Sequence, residues 1–141
     1  MVCKQHENEF KTVLRSKDLK ATPARLAMLE VFAHSQKPLC IKELEQQTSG
    51  TDVVTLYRNV GDLAKKGVLN RIRLQDKKDY YEFGSNAHHH HLVCSSCGKV
   101  VDIQSCDVKP ISQKLLERNG FGSFESHSLE FFGVCKKCSN N

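Results

Sequence analysis

Apolar residues recur at helical spacing through residues 22–66 and then switch to alternation. Between residues 22 and 34, Leu26, Leu29 and, with Met28, Phe32 share one face, behind a Thr22-Pro23 pair that suits an N-cap followed by a first-turn proline. A helix is expected there. Pro38 stops whatever precedes it, Ile41 and Leu44 mark a short helix over 41–47, and Thr48-Ser49-Gly50 is a turn. Over residues 52–66, Val53, Leu56, Val60, Leu63 and Ala64 line one face, while Thr55, Arg58, Asn59 and Lys66 lie away from it. That helix turns a polar, basic side to solvent. Gly67 ends it, and residues 69–83 alternate around a polar break at 75–79, which predicts a hairpin. Helix, turn, helix and basic hairpin together describe a winged helix-turn-helix, whose second helix enters the major groove of DNA. Tyr57 and Arg58 would then meet bases or phosphates. The alternative is an amphipathic helix pair in which Tyr57 only plugs the hairpin against the helix.

The second half carries different chemistry. Cys94-x-x-Cys97 and Cys135-x-x-Cys138 can each point two sulfurs at one ion, and four thiolates suit tetrahedral zinc with bonds of about 2.3 Å. A redox pair or disulfides are the alternatives, the latter disfavoured in a reducing compartment. Between the two pairs the pattern predicts a strand over 99–103, a helix with Val108, Ile111, Leu115 and Leu116 on one face, and a strand over 128–134. His88 to His91 run directly into the first cysteine pair. If that segment is extended, His89 and His91 share one face and His88 and His90 the other. The first face has Glu82 upstream and Asp102 downstream, a set of imidazoles and carboxylates that admits Fe²⁺, Mn²⁺ or Zn²⁺. For the second face, His127 and Asp107 are the remaining partners. A solvated polar loop is the bland reading of the same histidines.

Charge and composition sharpen this division. Residues 1–84 carry 15 basic and 11 acidic side chains, residues 85–141 only 6 and 5, while five of seven cysteines and five of seven histidines fall in the second part. A basic module, 1–83, is thus expected ahead of a metal-ligand-rich one, 84–141. No apolar run is long enough to span a membrane, and residues 1–8 carry no apolar leader, so a cytosolic protein is expected. The absence of H-E-x-x-H, a nucleophile elbow or a phosphate loop argues against an enzyme. A zinc-ribbon interaction or metal-storage module remains the rival of a DNA reader.

Thr22-x-x-Arg25, TLYRNV at 55–60, HHHHLVCSSCGKVVDI at 88–103, HSLEFFGVC at 127–135 and the terminal C-x-x-C occur in order, and together they resemble the ferric uptake regulator family. The resemblance implies a homodimeric, metal-dependent transcriptional repressor that binds palindromic double-stranded DNA. Its fold would be α+β, an N-terminal winged helix followed by a C-terminal α/β dimerisation domain with a four-cysteine zinc site. It implies structural zinc at Cys94, Cys97, Cys135 and Cys138, and a regulatory ion, Fe²⁺ or Zn²⁺ with Mn²⁺ behind, at Glu82, His89, His91 and Asp102. A third site would use His88, His90 and His127, although the acidic residue expected to complete it falls at Lys109. Lys20, Arg25, Thr55, Tyr57 and Arg58 match DNA-contacting positions. Where many iron and peroxide sensors place a loop histidine, this chain has Lys37-Pro38, with His34 and Cys40 the nearest substitutes. Peroxide sensing is accordingly ranked behind iron and zinc sensing. Cys3, Cys40 and Cys106 are expected to be unligated reduced thiols, with Cys106 the first candidate for an exception because it borders the histidine cluster.

Overall fold

The computed structural model describes residues 4–74, 77–84, 89–104, 106, 109–124, 127 and 129–140, the side chains of residues 4, 5, 109 and 110 excepted. Cys3, His88 and Asp107, each given a role above, lie outside the described residues. The chain divides into two compact units, Met1–Gly84 and Ser85–Asn141.

The first unit contains α1 (Lys4–Ser16), α2 (Pro23–His34), α3 (Ile41–Gln47), α4 (Val53–Lys65), β1 (Leu69–Arg73) and β2 (Asp79–Phe83). Helices form where the apolar spacing predicts them, and their starts are chemically marked. Thr22 accepts from the Arg25 N–H at the head of α2, and Asp52 accepts from the Thr55 N–H at 2.9 Å at the head of α4. The Thr55 hydroxyl, which also donates to this carboxylate, and after it the Thr55 N–H hold the Asp52 carboxyl below the ordinary aspartate range. Gly67, at φ +70°, takes the left-handed conformation that ends α4. Met28, Leu29, Leu44, Leu56 and Leu63 are fully buried among these helices. Val53, placed on the core face by its spacing, is instead 40% exposed, because the buried stripe of α4 begins one turn later at Leu56.

Helix α1 has no counterpart among the expected elements, since its sequence looks polar throughout. Its inner stripe is nevertheless Phe10, Val13 and Leu14, at i, i+3 and i+4, and Phe10 and Leu14 are buried in the core. Phe10 also meets the ring of Phe83 edge-on, with centroids 5.3 Å apart, tying α1 to the hairpin. The hairpin is pinned a second time: Leu39, in the link from α2 to α3, exchanges two backbone hydrogen bonds of 2.9 and 2.8 Å with Tyr81. The hairpin therefore stands at a fixed position beside α4, as a wing requires.

The second unit contains β3 (His90–Cys94), β4 (Val100–Ile103), α5 (Lys109–Asn119), β5 (Glu130–Gly133) and α6 (Lys136–Ser139). The three strands form one sheet in the order β4-β3-β5, with β4 antiparallel and β5 parallel to the central β3. A parallel neighbour requires a crossover, and the chain spends it on α5. Among the described residues of this unit only His90, His91, Val93 and Cys94 are buried. The apolar core is thus very small, and the unit's most enclosed side chains are metal-ligand types.

Candidate metal centres and nucleic-acid interface

The four knuckle cysteines converge. Cys94 ends β3, and the chain then turns tightly through Ser95–Cys97, closed by a Gly98 N–H to Cys94 carbonyl bond of 2.9 Å, with Gly98 at φ +73°. Cys135 opens α6, and Cys138 lies one turn along it. Parallel pairing of β3 with β5 brings the two ends together, with the Ser95 N–H bonding the Gly133 carbonyl at 2.8 Å. The four sulfurs all lie within 4.8 Å of one another. Four Zn–S bonds of about 2.3 Å in a tetrahedron set sulfurs about 3.8 Å apart. Cys97 and Cys135 stand at 3.9 Å, which fits that edge and is far from a disulfide of about 2.0 Å. The backbone N–H of Cys135, 3.3 Å from the Cys94 sulfur, and that of Cys97 bring the Cys94 pKa down to about 6. Cys138, crowded by the Cys135 and Cys97 sulfurs, is pushed up to about 12. A cation among the four sulfurs would relieve the crowding that drives these two shifts apart.

The histidine run behaves as an alternating strand. His90 and His91 are both buried, at 3% and 4% exposure, so both faces of β3 are covered at this point. On one face, His91 is paired in register with Asp102, and its Nε2 lies 3.7 Å from the carboxylate Oδ1. Two donors bound to one ion through bonds of ~2.0–2.2 Å stand ~3–4 Å apart, so the gap suits a shared cation better than a direct hydrogen bond. The ring of His89 packs edge-on against His91 with centroids 4.9 Å apart. Glu82 sits in the first unit, half-buried on β2 opposite Asn70.

On the other face, the His90 ring lies 5.2 Å from His127, and the His127 Nε2 lies 3.2 Å from the Cys106 sulfur. Donor atoms of all three fall within 4.8 Å of one another. Cys106, expected by default to be an isolated thiol, therefore joins the second histidine face. Its place beside the histidine cluster was the available signal, and Asp107 lies outside the described residues. A cysteine sulfur with two imidazoles is a softer donor set than the histidines with Asp107 anticipated.

The outer face of α4 presents Tyr57, 60% exposed, and Arg58, also exposed. Tyr57 therefore does not serve as a plug beneath the hairpin. Arg25 is only 12% exposed and acts as a strut: its Nε donates to Asn59 Oδ1 (3.1 Å), Nη2 to Asp62 Oδ2 (2.9 Å) and Nη1 to the Lys20 carbonyl (3.0 Å). These bonds fix α4 against α2 and the turn before it. On the hairpin, Arg71 and Arg73 share Asp79, at 2.6 and 3.3 Å. Among the described residues no helix is long and apolar enough to cross a membrane.

A sequence profile of the Ferric uptake regulator family matches residues 16–132. The Ferric uptake regulation protein of Neisseria meningitidis serogroup A is 30% identical over 137 residues, covering 92% of this chain and 94% of that protein. The Peroxide operon regulator of Bacillus subtilis is also 30% identical, over 139 residues, covering 95% of this chain and 94% of its own. Among solved structures, the Vibrio cholerae ferric uptake regulator superposes with a TM-score of 0.75 at 25% identity, over 89% of this chain and 98% of that one.

Proposed function

The chain belongs to the Ferric uptake regulator family, and from that premise we propose that it is a metal-responsive repressor whose corepressor is Fe²⁺ or Zn²⁺ and whose target is a palindromic operator of metal-homeostasis genes. The observation that carries this reading is the pairing of an exposed Tyr57-Arg58 surface, on a helix braced from within, with a separate histidine–carboxylate group in the second unit. The regulatory ion takes His89, His91 and Asp102 from the second unit. Glu82, seven residues before His89 in the chain and on the first unit, supplies a further oxygen. An ion held by both units restricts how they can be oriented, which converts occupancy into DNA-binding geometry. The structural ion is zinc at Cys94, Cys97, Cys135 and Cys138. Fe²⁺ and Zn²⁺ both suit the regulatory donors, which contain no thiolate, and Mn²⁺ stands behind them. Peroxide sensing ranks lower because Lys37-Pro38 occupies the loop where that chemistry draws a histidine. The third site uses His90 and His127 with Cys106; His88 and Asp107 lie outside the described residues.

Reading a palindrome needs two copies, and the second unit offers a surface for pairing. Leu92, Val101 and Phe131 are in register across β3, β4 and β5, so they form one apolar row on one sheet face, and all three are over 40% exposed. Covering this row with the same row of a second chain supports the homodimer. Phe131→Asp is expected to convert the dimer to a monomer at micromolar concentration, as measured by light scattering on a sizing column. A variant that stays dimeric would place the interface elsewhere.

In the dimer the two α4 helices enter successive major grooves, about one helical turn apart. Tyr57 and Arg58 meet the bases, Thr55 lies beside them, Lys20 reaches toward the minor groove, and Arg25, the expected backbone contact, also holds α4 in place through Asn59 and Asp62. The test is a gel shift of a palindromic promoter fragment titrated with Fe²⁺, Zn²⁺ or Mn²⁺ at two salt concentrations. Metal-dependent, salt-sensitive retardation is expected. A protein that binds metal yet never shifts DNA would be a storage or interaction module instead. Arg58→Ala is expected to weaken specific binding by ~1–3 kcal/mol if the guanidinium reads a base. Equal losses on specific and random DNA would make Arg58 a phosphate contact.

A further inference from the structure

His6 on α1 and Glu30 and His34 on α2 form a group that belongs to neither the cysteine cluster nor the histidine strand, and it lies wholly within the first unit. Glu30 and His34 are one helical turn apart, so they share a face of α2, with His34 Nε2 3.1 Å from Glu30 Oε1. The packing of α1 on α2 brings His6 to the same carboxylate, its Nδ1 3.4 Å from Oε2. The two imidazole centroids are 5.3 Å apart, and one donor atom from each of the three residues falls within 4.8 Å of the others. The His6 ring also rests on Phe10, centroids 5.7 Å apart, and Phe10 is locked in the core. His6 Nδ1 is shut off from solvent and makes no hydrogen bond among the described residues.

We propose that His6, Glu30 and His34 bind a divalent transition-metal ion that clamps α1 to α2. Two imidazoles and one carboxylate are a borderline donor set that prefers Zn²⁺, Co²⁺, Ni²⁺ or Fe²⁺ over Mg²⁺ or Ca²⁺. Nitrogen and oxygen donors at ~2.0–2.2 Å on a tetrahedral ion stand ~3.3–3.6 Å apart. The 3.4 Å from His6 Nδ1 to Glu30 Oε2 matches that edge and is too long for a normal hydrogen bond. His6 and Glu30 are the enclosed, preset pair, with side chains 35% and 15% exposed, whereas His34 at 64% is free to swing in. The open side leaves coordination positions for water. The ion would hold the beginning of α1, which otherwise is anchored through Phe10 and Leu14.

The test uses the full-length protein with its cysteine site already zinc-loaded. Zinc bound per subunit is measured by equilibrium dialysis, and amide hydrogen exchange in α1 is followed with and without added Zn²⁺. Wild type is expected to bind one ion more than either His34→Gln or Glu30→Gln, and zinc is expected to slow exchange across Lys4–Ser16 only in wild type. Because His34 is exposed, its glutamine variant keeps the fold, and unchanged circular dichroism verifies this. Equal zinc counts in wild type and both variants, or α1 exchange indifferent to zinc, would overturn the site and leave a plain ion-paired cluster. The readout involves no DNA, so it stands or fails independently of repressor function.

Discussion

Replacing Cys94 by serine is expected to remove one zinc per subunit and to unfold the Ser85–Asn141 unit, while the helical unit keeps its own melting transition. The reason is the size of the core. That unit is well below the ~70–80 residues at which an apolar core begins to suffice, and its enclosed side chains are largely His90, His91 and Cys94. Structural zinc at four thiolates carries an apparent ~10–16 kcal/mol at neutral pH, which is folding free energy for a domain of this kind. Calorimetry with zinc analysis checks the result: a single unchanged transition with full zinc content would refute the structural role. A pH signature accompanies it. Since Cys94 is brought to about 6, it is already ionised at neutral pH, and zinc uptake should release fewer protons than there are thiols. Below pH 6 Cys94 regains its proton in the metal-free protein, so the number released should rise.

His89→Ala combined with His91→Ala is expected to abolish the metal-dependent gain in operator affinity while zinc at the cysteines and the dimer persist. Moving a two-state equilibrium from 1:99 to 99:1 requires about 10⁴-fold preference for one state, near 5.5 kcal/mol. A pair of imidazole ligands on the regulatory ion can account for most of that, so operator affinity should fall by two to four orders of magnitude to the metal-free level. His91 is buried, so its truncation removes packed volume from the small second unit. Thermal melting of the variant therefore accompanies the gel shift. Unchanged operator affinity in a folded, dimeric variant would show that these histidines do not hold the switch.

Much of this protein is legible before any tertiary contact is known. Thr22 and Asp52 announce helices because capping is satisfied within three residues, and the stripe of α4 is a matter of periodicity alone. The cysteine pairs were readable because a C-x-x-C turn presets half of a tetrahedron locally, and the alternation of His90 and His91 follows from the strand itself. Other features depended on which segments meet. Helix α1 hides a three-residue apolar stripe in a polar sequence, and only the core it enters gives the stripe meaning. Arg25 looks available for a phosphate until α4 supplies Asn59 and Asp62 to bind it. Cys106 meets His127 across 21 residues of sequence, and His6 reaches Glu30 and His34 across 24 and 28 because α1 packs on α2. Local hydrogen bonding and periodicity act over a few residues, so sequence alone determined α2 to α4, the hairpin, the Thr22 cap and each C-x-x-C half of the cysteine cluster. Assembly of donors from distant segments is set by how faces pack, and the tertiary structure alone decided it.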